Sequence, residues 1–209
     1  MPKLPVAPEG WPFILIPAAI AAGLALTGRR ALAAPFAAAS LVSLGFFRDP
    51  ERAVPDAANA VLSPADGRVT AVEEAIDDFV GPAVRVSIFL SPLDVHVNRA
   101  PIAGRVVGVR YRPGKFVAAY RREAGEVNES SALHLQGDGA RVTVMQIAGV
   151  VARRIVCRVA EGDKLAAGER FGMIRFGSRT DCYMPRGTRV LVSPGDKAIG
   201  GVTVIGELA

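Results

Sequence analysis

ADGRVTAV (Ala65–Val72) and IAGRVVGV (Ile102–Val109) share the pattern Gly-Arg-Val-x-x-Val. Each places a turn ahead of a run of β-branched residues, the local signature of a strand entered from a tight bend. Between and beyond them the same texture continues: AVRVSIFLS, SALHLQ, ARVTVMQIAG, RRIVCRVA, TRVLVSPGDK and GVTVIGEL are short apolar runs separated by Gly, Pro and Asp. Self-similarity of this kind predicts two stacked, related β motifs in one compact sandwich or barrel, mainly β with few helices. The one helical expectation after Ala57 is FVAAYRREA, Phe116–Ala124.

Upstream the pattern changes. WPFILIPAAIAAGLAL (Trp11–Leu26) and ALAAPFAAASLVSLGFF (Ala31–Phe47) are apolar blocks joined by TGRR. Each falls a little short of the ~20 residues of a perpendicular spanning helix, so a tilted hairpin and a half-inserted one both satisfy the length. A hairpin with both ends inside would put Arg29 and Arg30 on the outer side, against the usual bias of basic residues, which favours a monotopic insertion. Ala31–Ala33 resembles a signal-peptide cleavage site. The arginine pair before it and the second apolar block after it argue against a cut. FRDPERAVP then marks a switch to polar, proline-bearing chain. The expected organisation is a membrane-associating hairpin over 1–48, a linker over 49–57 and a β domain over 58–209.

Composition narrows the partners. A chain of 209 residues holds one catalytic unit rather than two ordinary domains. Its net charge of +5 favours an anionic partner, but the arginines are scattered or paired and not interleaved with aromatics. An anionic membrane surface fits that pattern better than nucleic acid, which is not expected as a partner. The two cysteines, Cys157 and Cys182, make neither a metal spacing nor a disulfide framework, so the β domain is expected in a reducing compartment without a metal.

Candidate chemistry gathers around GMIRFGSRTDCYMP (Gly172–Pro185), where an alternating strand leads into Gly177-Ser178. Of the two histidines, His134 reads as structural, whereas His96 stands two residues after Asp94 in FLSPLDVHVNRAP. Strand alternation there would set Asp94, His96 and Asn98 on one polar face and Val95 and Val97 on the other. Asp94 reads equally as a turn or cap residue. Asp66 lies in a Pro-x-Asp-Gly turn. Together Ser178, His96 and Asp66 suggest two chemistries. One is a hydrolase with Ser178 as nucleophile, His96 as base and Asp66 orienting it, although the Gly-x-Ser-x-Gly elbow is missing. The other is self-processing, in which the Ser178 hydroxyl attacks the Gly177 carbonyl and elimination leaves a pyruvoyl group on a new chain. A glycine before the serine suits the second, because it obstructs that attack least.

In this order and spacing, SPADGRV, FLSPLDVHVNRAPIAG, NESSALHL, QIAGVVARRIV and GMIRFGSRTDCYMP resemble phosphatidylserine decarboxylase, in its short bacterial and archaeal branch. The resemblance covers nearly everything after Phe46. It implies a proenzyme cut between Gly177 and Ser178 into a large chain, 1–177, and a small chain, 178–209, that stay together as a heterodimer. It implies a covalent pyruvoyl cofactor derived from Ser178, phosphatidylserine as substrate and phosphatidylethanolamine as product. Ser178, His96 and Asp66 are then the expected catalytic residues, with His96 returning a proton to the substrate carbon. The expected location is the cytoplasmic face of the cell membrane, peripheral or monotopic. Longer members carry Leu-Gly-Ser-Thr at the cut and a second histidine three residues after the first. Here Phe-Gly-Ser-Arg stands at the cut and Arg99 at the second position, and a permanently charged guanidinium cannot serve as base. His96 and Asp66 are the candidates left for that step.

Two other readings share these features. An ether phosphoserine lipid of archaeal type has the same headgroup chemistry. GDKLAAGERFG and SPGDKAIGG resemble turns of lipoyl-type carrier domains, in which Lys197 would be a modified lysine rather than an exposed turn residue.

Overall fold

A computed structural model of the chain describes residues 5–57, 59–121, 123–150, 154–175 and 178–209. It resolves into two compact units, Met1–Glu51 and Arg52–Ala209.

The first unit is a helical hairpin. α1 (Trp11–Leu26) and α2 (Arg30–Phe46) are joined through Thr27, whose hydroxyl donates to the Gly23 and Leu24 carbonyls, and Gly28, whose φ of +77° ends α1. The second helix starts at Arg30, one residue earlier than the apolar block. Phe13 and Phe47 stack with ring centroids 5.4 Å apart, and Ser40 Oγ donates to the Ile14 carbonyl at 2.9 Å. Leu15, Ile16, Leu26, Leu32, Leu41 and Val42 are all exposed. The helical stretch Pro8–Leu26, of mean hydropathy 1.6, is long and apolar enough to cross a membrane.

The second unit is mainly β. The strands are β1 (Ala60–Leu62), β2 (Gly67–Asp77), β3 (Gly81–Leu90), β4 (Val97–Arg99), β5 (Gly104–Arg112), β6 (Ser130–Gln136), β7 (Arg141–Ile147), β8 (Ile155–Cys157), β9 (Lys164–Leu165), β10 (Arg170–Ile174), β11 (Ser178–Pro185), β12 (Arg189–Val190), β13 (Lys197–Ala198) and β14 (Val204–Glu207). Eight of them form one curled half-barrel sheet in the order β13-β2-β3-β11-β7-β6-β5-β9. Two smaller sheets, β1-β14-β12 and β4-β10-β8, complete the unit. The core lies on the inner face, where Val69, Val86, Ile88, Leu90, Leu133, Leu135, Val142, Val144, Cys182 and Met184 pack together.

The repeated Gly-Arg-Val motifs open β2 and β5, one at each end of the large sheet. β2 pairs with β13 through Gly67↔Ala198 and Arg68↔Lys197, and β5 pairs with β9 through Gly104↔Leu165 and Arg105↔Lys164. Both outer strands come from a Gly-Asp-Lys turn. Gly195 and Gly162 have φ of +102° and +98°, and their N–H groups donate to the Val69 and Val106 carbonyls at 2.8 and 2.9 Å. Each motif arginine donates to the carbonyl of its turn glycine, Arg68 to Gly195 and Arg105 to Gly162. The duplication expected from the sequence therefore extends to both edges of the sheet.

The helix expected over Phe116–Ala124 is not formed: α3 covers only Ala124–Val127. The Asn128 side chain is the physical reason. Its Oδ1 accepts from Val117 N at 2.9 Å while its Nδ2 donates to Val117 O at 2.8 Å and Ala148 O at 2.7 Å, which holds the segment open against helical pairing.

Candidate active site

Ser178 is the first residue of β11, the strand hydrogen-bonded on one side to β3 and on the other to β7. Its register partner is Leu90, the last residue of β3. The side chain is completely buried, and Oγ has no hydrogen-bond partner among the described residues. A buried hydroxyl left without a partner costs about 1–3 kcal/mol, so its retention calls for a reason. Gly177, the other half of the expected cleavage site, lies outside the described residues.

Beyond Leu90 the chain turns at Ser91, whose N–H and hydroxyl donate to Asp94 Oδ2 at 2.8 and 2.7 Å. Asp94 is therefore a turn residue. The expected alternation from Asp94 to Asn98 is absent as a polar face, because Val95, His96, Val97 and Asn98 are all buried and the strand begins only at Val97. Burial of both faces removes the contrast on which alternation rests.

His96 is fully buried, and its Nδ1 lies 2.9 Å from the Asp94 carbonyl oxygen. A carbonyl only accepts, so the contact assigns the proton to Nδ1 and leaves Nε2 as the basic nitrogen of the neutral ring. The His96 carbonyl accepts from Ile174 N at 3.2 Å, and β10 ends at that residue, four positions before Ser178. The histidine and the serine are thus brought to the same end of the sheets by two independent pairings.

Asp66 sits elsewhere in the hydrogen-bond map. Arg52 grips its two carboxylate oxygens at 2.5 and 2.8 Å, and Gly200 N donates to Oδ1 at 2.9 Å. Its carboxylate makes no hydrogen bond to His96, whose Nδ1 is held by the Asp94 carbonyl instead. The Asp66 turn is nonetheless tied to the strand after His96, because the Pro64 carbonyl accepts from Arg99 N at 3.0 Å and Asn98 Nδ2 at 3.3 Å. Gly67 completes that turn against β3, where a Cβ would lie 2.1 Å from the Phe89 carbonyl oxygen. Only glycine permits the approach.

Arg99, at the position of the absent second histidine, is 3% exposed and donates to the Gly168 carbonyl at 3.0 Å. That bond ties it to the loop before β10. Lys197 is exposed on β13.

Sequence reasoning passed over a buried amide network. Asn98 Nδ2 donates to Thr180 Oγ1 at 3.1 Å, and Gln146 Nε2 donates to Asn98 Oδ1 at 2.9 Å. It links β4, β11 and β7 two residues beyond both His96 and Ser178. The polar residues in SRTDCY were the available signal, since they interrupt an otherwise core-like strand. Among the described residues no cluster of His, Cys, Asp and Glu could hold a metal ion.

Comparison with known proteins places this geometry in context. The family model described as phosphatidylserine decarboxylase matches residues 41–206. A protein of Symbiobacterium thermophilum named phosphatidylserine decarboxylase proenzyme is 52% identical over 206 residues, covering 97% of this chain and 95% of its own. Proteins of the same name from Burkholderia mallei and Aromatoleum aromaticum are 47% and 45% identical, each over 97% of this chain and 95% of their own.

Proposed function

The chain belongs to the phosphatidylserine decarboxylase family, and from that premise we propose that it converts phosphatidylserine to phosphatidylethanolamine and CO2 with a pyruvoyl group made from its own Ser178. The observation that carries this reading is the buried Ser178 hydroxyl, without a partner among the described residues, at the head of a central strand and directly after a glycine. The residues present fit such a group. A hydroxyl engaged by no described residue is available as a nucleophile, and a basic imidazole nitrogen is brought to the same end of the sheets.

In the maturation step, Ser178 Oγ attacks the Gly177 carbonyl carbon and the peptide nitrogen leaves, giving an ester. His96 Nε2 takes the hydroxyl proton. Loss of a proton from Cα of residue 178 then breaks the Cβ–O bond and frees the 1–177 chain as a carboxylate. The remaining enamine takes up water and releases ammonia, leaving a pyruvoyl group at the start of 178–209.

In the catalytic cycle the carbonyl so formed supplies a sink for the electron pair released with CO2. His96 holds a proton at Nε2 and returns it to the substrate carbon. Its orientation comes from the Asp94 carbonyl. Asp66 supports the site as a positioning residue, by anchoring the turn whose Pro64 carbonyl is bonded to Asn98 and Arg99.

The apolar hairpin serves as the membrane anchor of the enzyme at the cytoplasmic face of the cell membrane, with the β domain of 58–209 beside the surface that holds its substrate. Its exposed leucines and isoleucines and the length of Pro8–Leu26 support this placement. Intact-mass analysis tests the reading. It should find 1–177 and a blocked 178–209 fragment, and a single uncut chain in an active preparation would overturn it.

A further inference from the structure

One feature of the duplicated sheet edges acquires a use at only one of them. Arg68 and Lys197 are register partners across β2 and β13, both exposed, and they line a cavity of about 500 Å³ with Gly67, Phe89, Ser91 and Asp94. Arg68 is steadied by its bond to the Gly195 carbonyl, and the Lys197 ammonium has no partner among the described residues. Among the described residues Asp94 is the one carboxylate lining the cavity, and one of its oxygens is already occupied by Ser91. The cavity therefore presents two cations against one partly satisfied anion, and it favours an anionic ligand.

Its position is set by the same pairings that place the active site. Ser91 follows Leu90, the register partner of Ser178, and the Asp94 carbonyl holds His96. Arg68 pairs with Phe89, which pairs with Arg179, so two strand spacings, roughly 10 Å, separate the backbone of Arg68 from that of the residue beside Ser178. In a phosphoserine headgroup the phosphorus lies roughly 5 Å from the amine, given bonds near ~1.5 Å. Arg68 shares the outer face of the sheet with Phe89 and Arg179, opposite the Ser178 side chain, so the headgroup would cross from that face to residue 178 at the end of β11. The neighbouring surface is apolar: Leu93 is 84% exposed, and Tyr120, 67% exposed, sets its ring edge-on to Phe89 at 6.1 Å.

We propose that Arg68 and Lys197 bind the phosphodiester of the lipid headgroup, Arg68 as a two-pronged donor and Lys197 as a point charge. The proposal rests on the decarboxylase reading of Ser178. The other sheet edge supplies an internal control, because Arg105 and Lys164 form the same pair over a cavity of about 300 Å³ lined by Gln136 and Asp138.

The test uses the full-length cleaved enzyme with R68Q, K197Q and, as control, the double variant R105Q/K164Q. All should mature to two chains. R68Q and K197Q should each raise KM for short-chain phosphatidylserine in uncharged detergent micelles about tenfold or more, with kcat little changed. Calorimetric binding of glycerophosphoethanolamine, which has no tails, should weaken by a similar factor, and R105Q/K164Q should behave as wild type. Unchanged KM and unchanged headgroup binding in R68Q and K197Q would overturn the proposal, as would an equal loss in the control. A loss seen on anionic vesicles and absent in neutral micelles would assign the two cations to the membrane surface and overturn the headgroup site. Failure of the decarboxylase reading is separable: it would leave every variant and the wild type uncut, while calorimetry would still decide phosphodiester binding.

Discussion

Arg179 and Asp181, two residues apart on the outer face of β11, are joined by paired hydrogen bonds of 2.7 and 2.6 Å in surroundings where they are 4% and 0% exposed. The guanidinium also donates to the Arg121 carbonyl at 3.2 Å, so the pair fixes the loop before α3 against the strand that begins at Ser178. Removing one member of such a pair strands the other charge, at a cost of about 3–5 kcal/mol. Asp181→Ala is therefore expected to lower unfolding stability by about that amount in denaturant titration. Replacing both, as in R179M/D181A, should recover most of the loss.

Ser178→Ala should produce an uncut chain without decarboxylase activity, because it removes the nucleophile and the source of the carbonyl together. Ser178→Cys should still cut, slowly, since a thiol can make the same attack. Intact mass and CO2 release check both. Borohydride added to the wild type with phosphatidylserine present should trap substrate on the 178–209 fragment.

His96→Ala separates two divisions of labour. If one imidazole serves both maturation and turnover, the variant accumulates uncut precursor. That is the expected result, because Asp66 is already held by Arg52 and Gly200. A variant that cuts normally but turns over about 10²–10⁴-fold more slowly would restrict His96 to the catalytic cycle. Normal cutting and normal turnover would remove it from the mechanism.

His134 provides a pH test away from the active site. Its Nδ1 lies 2.9 Å from Thr143 Oγ1, which itself donates to Asp77 at 2.8 Å, so Nδ1 carries the proton and Nε2 is buried without a partner among the described residues. Desolvation by burial lowers its pKa below 6.5, with the Asp77 charge opposing. A depressed histidine pKa means that the unfolded chain binds the proton more readily. The stability contributed by neutral His134 is complete above about pH 6.5 and is lost as pH falls toward the folded-state value. His134→Leu should flatten that part of the stability profile, measured by urea unfolding at a series of pH values.

Much of this architecture is legible in the sequence, for reasons that differ by element. The strands announce themselves because runs such as RVSIFL and RVTVMQI combine β-branched residues with turn glycines. The hairpin is visible as apolar length. The echo of Gly-Arg-Val is legible too, but its pairing with the Gly-Asp-Lys turns is not. The two copies are nested, 67 with 195 and 104 with 162, so no constant period links them. The helix expected around Tyr120 fails because one distant side chain, Asn128, claims the backbone. At the site, Ser178 and His96 stand out by residue type and company. The Asp94 carbonyl that fixes the imidazole does not, because a backbone oxygen has no residue-specific trace.

The position of β11 has a consequence for the life of the mature enzyme. A break after residue 177 would free the end of a strand that stays clamped between β3 and β7, while β13 and β14 of the same piece remain bound to β2 and β1. The fragments would hold together without a covalent link, and nothing in the native state would favour their release. Once unfolded, however, the two pieces would have to find each other by diffusion, and the pyruvoyl-capped strand could no longer thread into the sheet as part of a continuous chain. Maturation would thus turn a reversible folding reaction into a one-way passage, with the enzyme's durability set by its unfolding rate rather than by an equilibrium.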